Sequence, residues 1–299
     1  RRGDPSGRPC KNPTRENNHM KNTPTRRTVL KTGFAAAAAA ALSDGISAAV
    51  PKPKQPGETK IVVMMGHDGM HNDVSYETMI RSIFASKKDW RIWAARTNKV
   101  ISPELIADAD LIITQRFGDP YEWSPEGLAD SLGRETYSLY NDTMAPAMIS
   151  GVRDRGMGWM AIHNTIWNGR KDLEDFIGVD AELHQEVQPV IYKELNRNHP
   201  VTRGIEPFCV SLEEQFGVKI KNPAETTILF RSLAVHDRRD SVGGWCLERG
   251  KGRVIGLLPG HLEWCYRVEA YREIFWRAAF WAMRRDIEPY PKSGDRDLW

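Results

Sequence analysis

KIVVMMGHDGMHND, residues 60–73, is the stretch whose reading sets the fold class. Lys60 to Met65 is a short apolar run that ends on Gly66 and does not alternate with polar residues. A strand of a parallel sheet reads this way, because helices cover both faces and no position looks into water. Polar residues follow at once: His67, Asp68, His71, Asn72 and Asp73. Over 76–86, Met79, Ile80, Ile83 and Phe84 then fall at helical spacing, with Asp73 or Ser75 placed to cap the helix.

Downstream, the same alternation of element types continues. Residues 91–94 and 109–114 read as a second and third strand, 143–154 as a helix and 158–162 as a fourth strand. This βαβαβ order predicts a parallel sheet with helices on both faces. Residues 115–141 are loop-like and carry Tyr121, Trp123, Tyr137 and Tyr140. A loop of that length is either a functional lid or a local insertion. After Trp167 the pattern changes. Residues 187–192, 208–212 and 226–230 read as antiparallel strands, 253–258 as a late strand and 268–283 as a closing helix. Residues 60–285 therefore form one α/β domain, a mostly parallel sheet with antiparallel additions, followed by a polar tail over 286–299.

Upstream lie a linker over 50–59 with three prolines and a leader over 1–49. Arg26-Arg27, the Ala35–Ala41 run and the small residues near Ser47-Ala48-Ala49 make an export signal of the twin-arginine type. The alternative is an amphipathic or disordered N-terminus. Met20 reads as the natural start. The apolar region is too short for a comfortable membrane span. The expectation is a periplasmic or other extracytoplasmic protein, with no membrane span once the signal is removed.

The net charge of +3 hides an uneven distribution. Residues 1–50 hold nine Lys/Arg against three Asp/Glu, whereas the rest hold 33 against 36. A body of net −3 lacks the electrostatic footprint of a nucleic-acid binder. Cys10, Cys209, Cys246 and Cys265 form no C-x-x-C pair. Two readings stay open: a Cys246–Cys265 bridge, or buried free thiols.

In open α/β sheets, ligands bind outside the carboxyl ends of the strands. Those places hold His67 and His71 after the first strand, and Gln115 after the third. His163 and Asn164 follow the fourth, Glu213 and Glu214 follow 208–212, and His261 follows the late strand. Each has an ordinary alternative as a loop polar, a core histidine or a surface ion pair, and their convergence is what argues for a site. Imidazole serves as acid, base or metal ligand, and a carboxylate beside it orients the ring or shares the metal. His184, His199 and His236 fall outside this strand-end logic.

On these residues the sequence resembles the ThuA-like (trehalose utilisation) family. The resemblance rests on Val62-Val-Met-Met-Gly66, Gly156-Met-Gly-Trp-Met-Ala-Ile-His163 and His199-Pro-Val-Thr-Arg-Gly-Ile205. It continues through Glu213-Glu-Gln-Phe-Gly217, Gly250-Lys-Gly-Arg-Val254, Pro259-Gly-His261 and Ala278-Ala-Phe-Trp-Ala282. It implies a flavodoxin-like, class I glutamine amidotransferase-like three-layer sandwich. It also implies a pocket lined by His71, His163, Glu214 and His261, open to a divalent, zinc-like metal on those four residues. His163, His261 and Glu214 are the catalytic candidates. His71, Gln115, Asn164, Glu213 and Trp123 are the substrate-binding candidates. Phe216 stands where relatives carry Tyr. The strand end Ala161-Ile162-His163-Asn164 has no nucleophilic Cys or Ser, which argues against glutamine hydrolysis through a thioester.

The implied partner is a small carbohydrate, in a monomer or homo-oligomer. Isomerisation beside a carbonyl, and hydrolysis or elimination at a keto-glycoside, are both served by this residue set. A non-catalytic carbohydrate-binding protein and an envelope interaction module are the alternatives on the same fold.

Overall fold

In the computed structural model, the described residues are 53–65, 71, 73–95, 101–115 and 142–291. Eleven strands and five α-helices are assigned among them. In chain order the first half runs β1 (Thr59–Met65), α1 (Asp73–Ile83), β2 (Trp90–Ala95), α2 (Pro103–Ile106), β3 (Leu111–Gln115), α3 (Met144–Ser150) and β4 (Gly158–Ile162). Then come α4 (Lys171–Ile177), β5 (Val179–His184), β6 (Gln188–Lys193), β7 (Phe208–Glu213) and β8 (Phe216–Ile220). The chain closes with β9 (Thr227–Ala234), β10 (Asp240–Arg249), β11 (Gly252–Leu257) and α5 (Glu269–Ala282).

The sheet order is β2-β1-β3-β4-β11-β10-β9-β6-β7, with a separate β5-β8 ribbon. The pairs from β2 to β11 are parallel. Those from β11 to β7 are antiparallel. This is the mostly parallel sheet with antiparallel additions implied by the sequence. All seven residues of β1 are buried. Alternate side chains explain why: Ile61, Val63 and Met65 enter the core under α1 and α5, while Val62 and Met64 enter the one under α2, α3 and α4. Period-two side-chain geometry and a helix layer on each face make the three-layer sandwich.

Several local expectations are corrected. Asp73 is the first residue of α1, so the helix starts three residues before the spacing indicates. The helix expected over 143–154 is α for one stretch and then a π-turn over Gly151–Arg155, ended by Gly156 at φ 90°. β5, β8 and β10 are additional strands that the sequence reading did not contain. Cys209, Cys246 and Cys265 are all free, so the Cys246–Cys265 bridge is excluded; Cys209 is also exposed rather than buried. The start of the expected tail is tied down: Trp276 Nε1 donates to Glu288 O at 2.9 Å, and Arg272 Nε to the Tyr290 hydroxyl at 2.9 Å.

Among the described residues, no helix is long and apolar enough to cross a membrane. The leader, His67, and Tyr121, Trp123, Tyr137 and Tyr140 lie outside the described residues.

Candidate functional site

Four parallel strands deliver the site. β3 ends on Gln115, β4 leads directly into His163, β11 leads through Leu258-Pro259-Gly260 to His261, and β1 precedes the loop that holds His71. The carboxyl ends of neighbouring parallel strands share one rim, so residues nearly two hundred positions apart become neighbours.

His163 sits at the sharpest turn. It has φ 48° between β4 and the 3₁₀ turn His163–Ile166, a left-handed backbone that a β-carbon disfavours. Such strain is held only where surroundings over-determine it, and it clusters at functional sites. His163 is fully buried, His71 is 6% exposed and His261 9%. The ring centroids are 5.5 Å apart for His71–His163, 5.2 Å for His71–His261 and 5.6 Å for His163–His261. One nitrogen from each ring lies within 4.8 Å of the other two.

Hydrogen bonds set the tautomer of His163. Its Nδ1 lies 2.9 Å from the Leu258 carbonyl. A carbonyl only accepts, so Nδ1 carries the proton and Nε2 keeps a lone pair. That buried Nε2 has no hydrogen-bond partner among the described residues. Glu214 Oε2 is 3.6 Å from it and 3.0 Å from His261 Nδ1. Burial pushes the pKa of His163 down to about 4, so the ring is neutral at pH 7. Burial raises Glu214 as well, but His163 and His261 outweigh it and hold the carboxyl well below its usual range. The centre is thus a neutral imidazole facing an ionised carboxylate.

Glu213 differs from its neighbour in sequence. It is fully buried, and burial pushes its pKa up to about 8 against the pull of three backbone amides. Gly260 N donates to Oε2 at 3.0 Å, while His261 N and Glu214 N donate to Oε1 at 2.9 and 3.1 Å. Gln115 is equally committed. Its Nε2 donates to Gly260 O at 2.6 Å, and its Oε1 accepts from the Tyr266 hydroxyl at 2.9 Å. The Tyr76 hydroxyl donates to the His261 carbonyl. The polar atoms of Glu213 and Gln115, expected from the sequence to contact substrate, thus have hydrogen-bond partners inside the protein. Asn164 is fully buried in the turn behind His163. Trp123 lies outside the described residues.

Sequence reasoning set His184 aside, noted Phe216 only as a departure from the family pattern and did not single out Trp167. His184 ends β5, with its Nδ1 3.7 Å from Glu214 Oε1. Its ring packs against Trp167 at 5.3 Å and Phe216 at 5.4 Å. Phe216 meets the His163 ring edge-on at 4.8 Å, so an apolar ring fills the place where a Tyr hydroxyl was the family expectation. The signal for His184 was present: Val179-Asp-Ala-Glu-Leu-His184 alternates apolar and polar residues, the period of a half-buried strand.

Three nitrogen donors this close, with a lone pair fixed on one and a carboxylate alongside, form a set that can hold a divalent metal. Borderline ions such as zinc favour imidazole, and catalytic sites commonly use three protein ligands.

A profile of the family described as trehalose utilisation, ThuA, matches residues 60–282. A protein described as ThuA-like from Bacteroides uniformis ATCC 8492 superposes with a TM-score of 0.57 at 15% identity, covering 78% of this chain and 94% of its own. One similarly described from Parabacteroides merdae ATCC 43184 gives 0.58 at 11% identity, covering 79% and 94%. A glutamine amidotransferase from Thermotoga maritima aligns at 0.46 and 11% identity, covering 76% and 98%. No curated protein matches the sequence. At such identities the structural likeness speaks to the fold alone, which this chain shares with the two ThuA-like proteins.

Proposed function

The chain belongs to the trehalose-utilisation family ThuA, and from that premise we propose that it is a carbohydrate-directed enzyme whose His71, His163 and His261 hold a divalent, zinc-like cation beside Glu214. The observation that carries this reading is the convergence of three imidazole nitrogens within 4.8 Å of one another at the strand ends. A bound cation would supply Lewis acidity toward a sugar carbonyl or hydroxyl oxygen.

The protein's own groups divide the remaining work. His163 presents its Nε2 lone pair and, with a pKa of about 4, is not an imidazolium acid at neutral pH; its one proton, on Nδ1, is engaged with the Leu258 carbonyl. Glu214 is ionised and held well below the usual carboxylate range, so it is a weak base, and its role is to orient the imidazoles or to ligate beside them. Phe216 keeps water from one face of His163. This division suits proton removal next to a carbonyl in a keto-sugar, leading to isomerisation or to elimination at a keto-glycoside. The Arg26-Arg27 leader supports an extracytoplasmic setting for this chemistry.

Elemental analysis of the purified protein and of His163→Ala tests the site. We expect about one metal per chain in the wild type, as three-histidine catalytic sites hold, and loss of it in the variant. Turnover of a panel of 3-keto-glycosides should disappear with the metal. A metal-free wild type that still turns over would reduce the site to acid/base chemistry. Tight sugar binding with no turnover would make the protein a carbohydrate binder.

A further inference from the structure

We propose that Glu213 is a positioning residue, a buried latch that sets His261, Glu214 and His163 in the mutual arrangement a cation requires. The proposal rests on the metal reading above for its main readout, but its geometric basis stands apart from it.

The placement of β7 is the first argument. In the sheet order β7 is the far edge of the antiparallel half, four places from β11. Yet the residue ending β7 reaches the turn that follows β11. The antiparallel half therefore curls back over the rim. Irregular register between β9 and β10 at Val242, Gly244 and Trp245 is the kind of bulge that bends strands this way.

The chemistry of the contact is the second argument. One carboxylate gathers the amides of Gly260, His261 and Glu214, and Oε1 also lies 3.7 Å from His163 Nδ1. Two of those amides belong to proposed site residues, and the third belongs to the glycine before His261. Both oxygens of this fully buried group are engaged by the three amides. A buried carboxyl group is costly, and this one is offset by what it holds. Both its oxygens keep acceptor lone pairs whether or not the group is protonated, so a glutamine of the same shape cannot replace it. Its amide nitrogen donates and would oppose a backbone N–H, leaving at least one of the three amides without an acceptor. The turn carrying His261 and the backbone of Glu214 would then be free to shift relative to His163. Groups that orient metal ligands typically carry about 10–100-fold in metal affinity.

The test compares the full chain with Glu213→Gln and Glu213→Asp. Co2+ titrations followed by visible absorption report affinity and ligand geometry. Imidazole 15N spectra of the metal-free proteins report the site without metal, with His199 and His236 as internal controls. We expect folded Glu213→Gln to bind Co2+ about 10–100-fold more weakly, with an altered cobalt spectrum. We also expect moved His163 and His261 signals beside unmoved His199 and His236. Glu213→Asp keeps two acceptor oxygens and should show the same changes to a smaller degree. It carries the comparison if the Gln variant does not fold. A folded variant with wild-type Co2+ affinity and unmoved His163 and His261 signals would overturn the latch. If the wild type binds no Co2+, the metal reading fails instead, and the imidazole spectra alone decide the latch.

Discussion

Gly260 shows how tightly single residues are constrained at the rim. A β-carbon there would lie 2.8 Å from His163 Cβ and 3.0 Å from Ile162 Cγ2. The strand end after β4 and the turn after β11 can approach this closely only because one of them lacks a side chain. Gly260→Ala should therefore cost about 1–3 kcal/mol of stability, the usual penalty of overpacking, and should loosen metal binding as well. A urea titration at constant m-value checks the first and a Co2+ titration the second. The cysteines give another residue-level expectation. Cys246 and Cys265 are buried and Cys209 is exposed. Burial also pushes the Cys246 thiol up to about 12, away from the reactive thiolate. Of these three, only Cys209 should react with a thiol reagent in the native protein, and all three should react in denaturant. A fast second thiol would contradict this packing.

At the scale of elements, β10 is the instructive case. It is the longest of the described strands and pairs with β11, the strand at which the parallel half meets the antiparallel half, yet its sequence Asp240-Ser-Val-Gly-Gly-Trp-Cys-Leu-Glu-Arg249 carries two glycines. Glycines weaken strands as isolated segments, so the run does not announce itself. The packing explains them. A β-carbon at Gly244 would lie 2.6 Å from the Phe230 ring, and one at Gly256 in β11 would lie 2.2 Å from the Trp245 ring. The glycines clear space for two large rings, and Trp245 adds a 3.0 Å hydrogen bond to Ile177 O. Trp245→Ala should destabilise the protein by about 3–5 kcal/mol through the cavity left behind. Chemical denaturation measures it, and a loss below about 1 kcal/mol would show that the site collapses readily, as small core changes do. Strands β1, β3 and β4 were legible from their unbroken apolar runs. β5 needed only a closer reading of its alternation.

For the whole molecule, buried histidines set the response to acid. His163 and His199 are both pushed by burial from an ordinary value of 6.5 down to about 4. Each is neutral in the fold and takes up a proton more readily when unfolded. Their contribution is complete above pH 6.5 and is lost as the pH falls toward 4. Glu213 acts in the opposite sense. Its raised pKa favours the fold at low pH, and that contribution is lost as the pH rises through about 8. The metal-free protein should therefore show a stability maximum between these limits, and thermal unfolding across pH tests this. His199→Gln should flatten the acid limb without affecting metal binding. Saturating metal should raise the whole curve, by about 2.7 kcal/mol at a hundredfold excess over Kd.

The sequence by itself determined the class of fold, the buried parallel strands and the family. Each of these depends on patterns a few residues long or on ordered motifs. It also pointed to His71, His163, Glu214 and His261, because a parallel sheet brings its strand ends to one rim. Only the tertiary structure decided what each polar residue does there. Glu213 and Glu214 are adjacent in the chain, but one is spent on three backbone amides while the other faces the imidazoles. His184 enters beside them from a ribbon strand that pairs elsewhere. Successive side chains along extended backbone point to opposite sides, and burial, tautomer and charge follow from what lies on each side. That surrounding is assembled from segments far apart in the chain, so no local pattern can contain it.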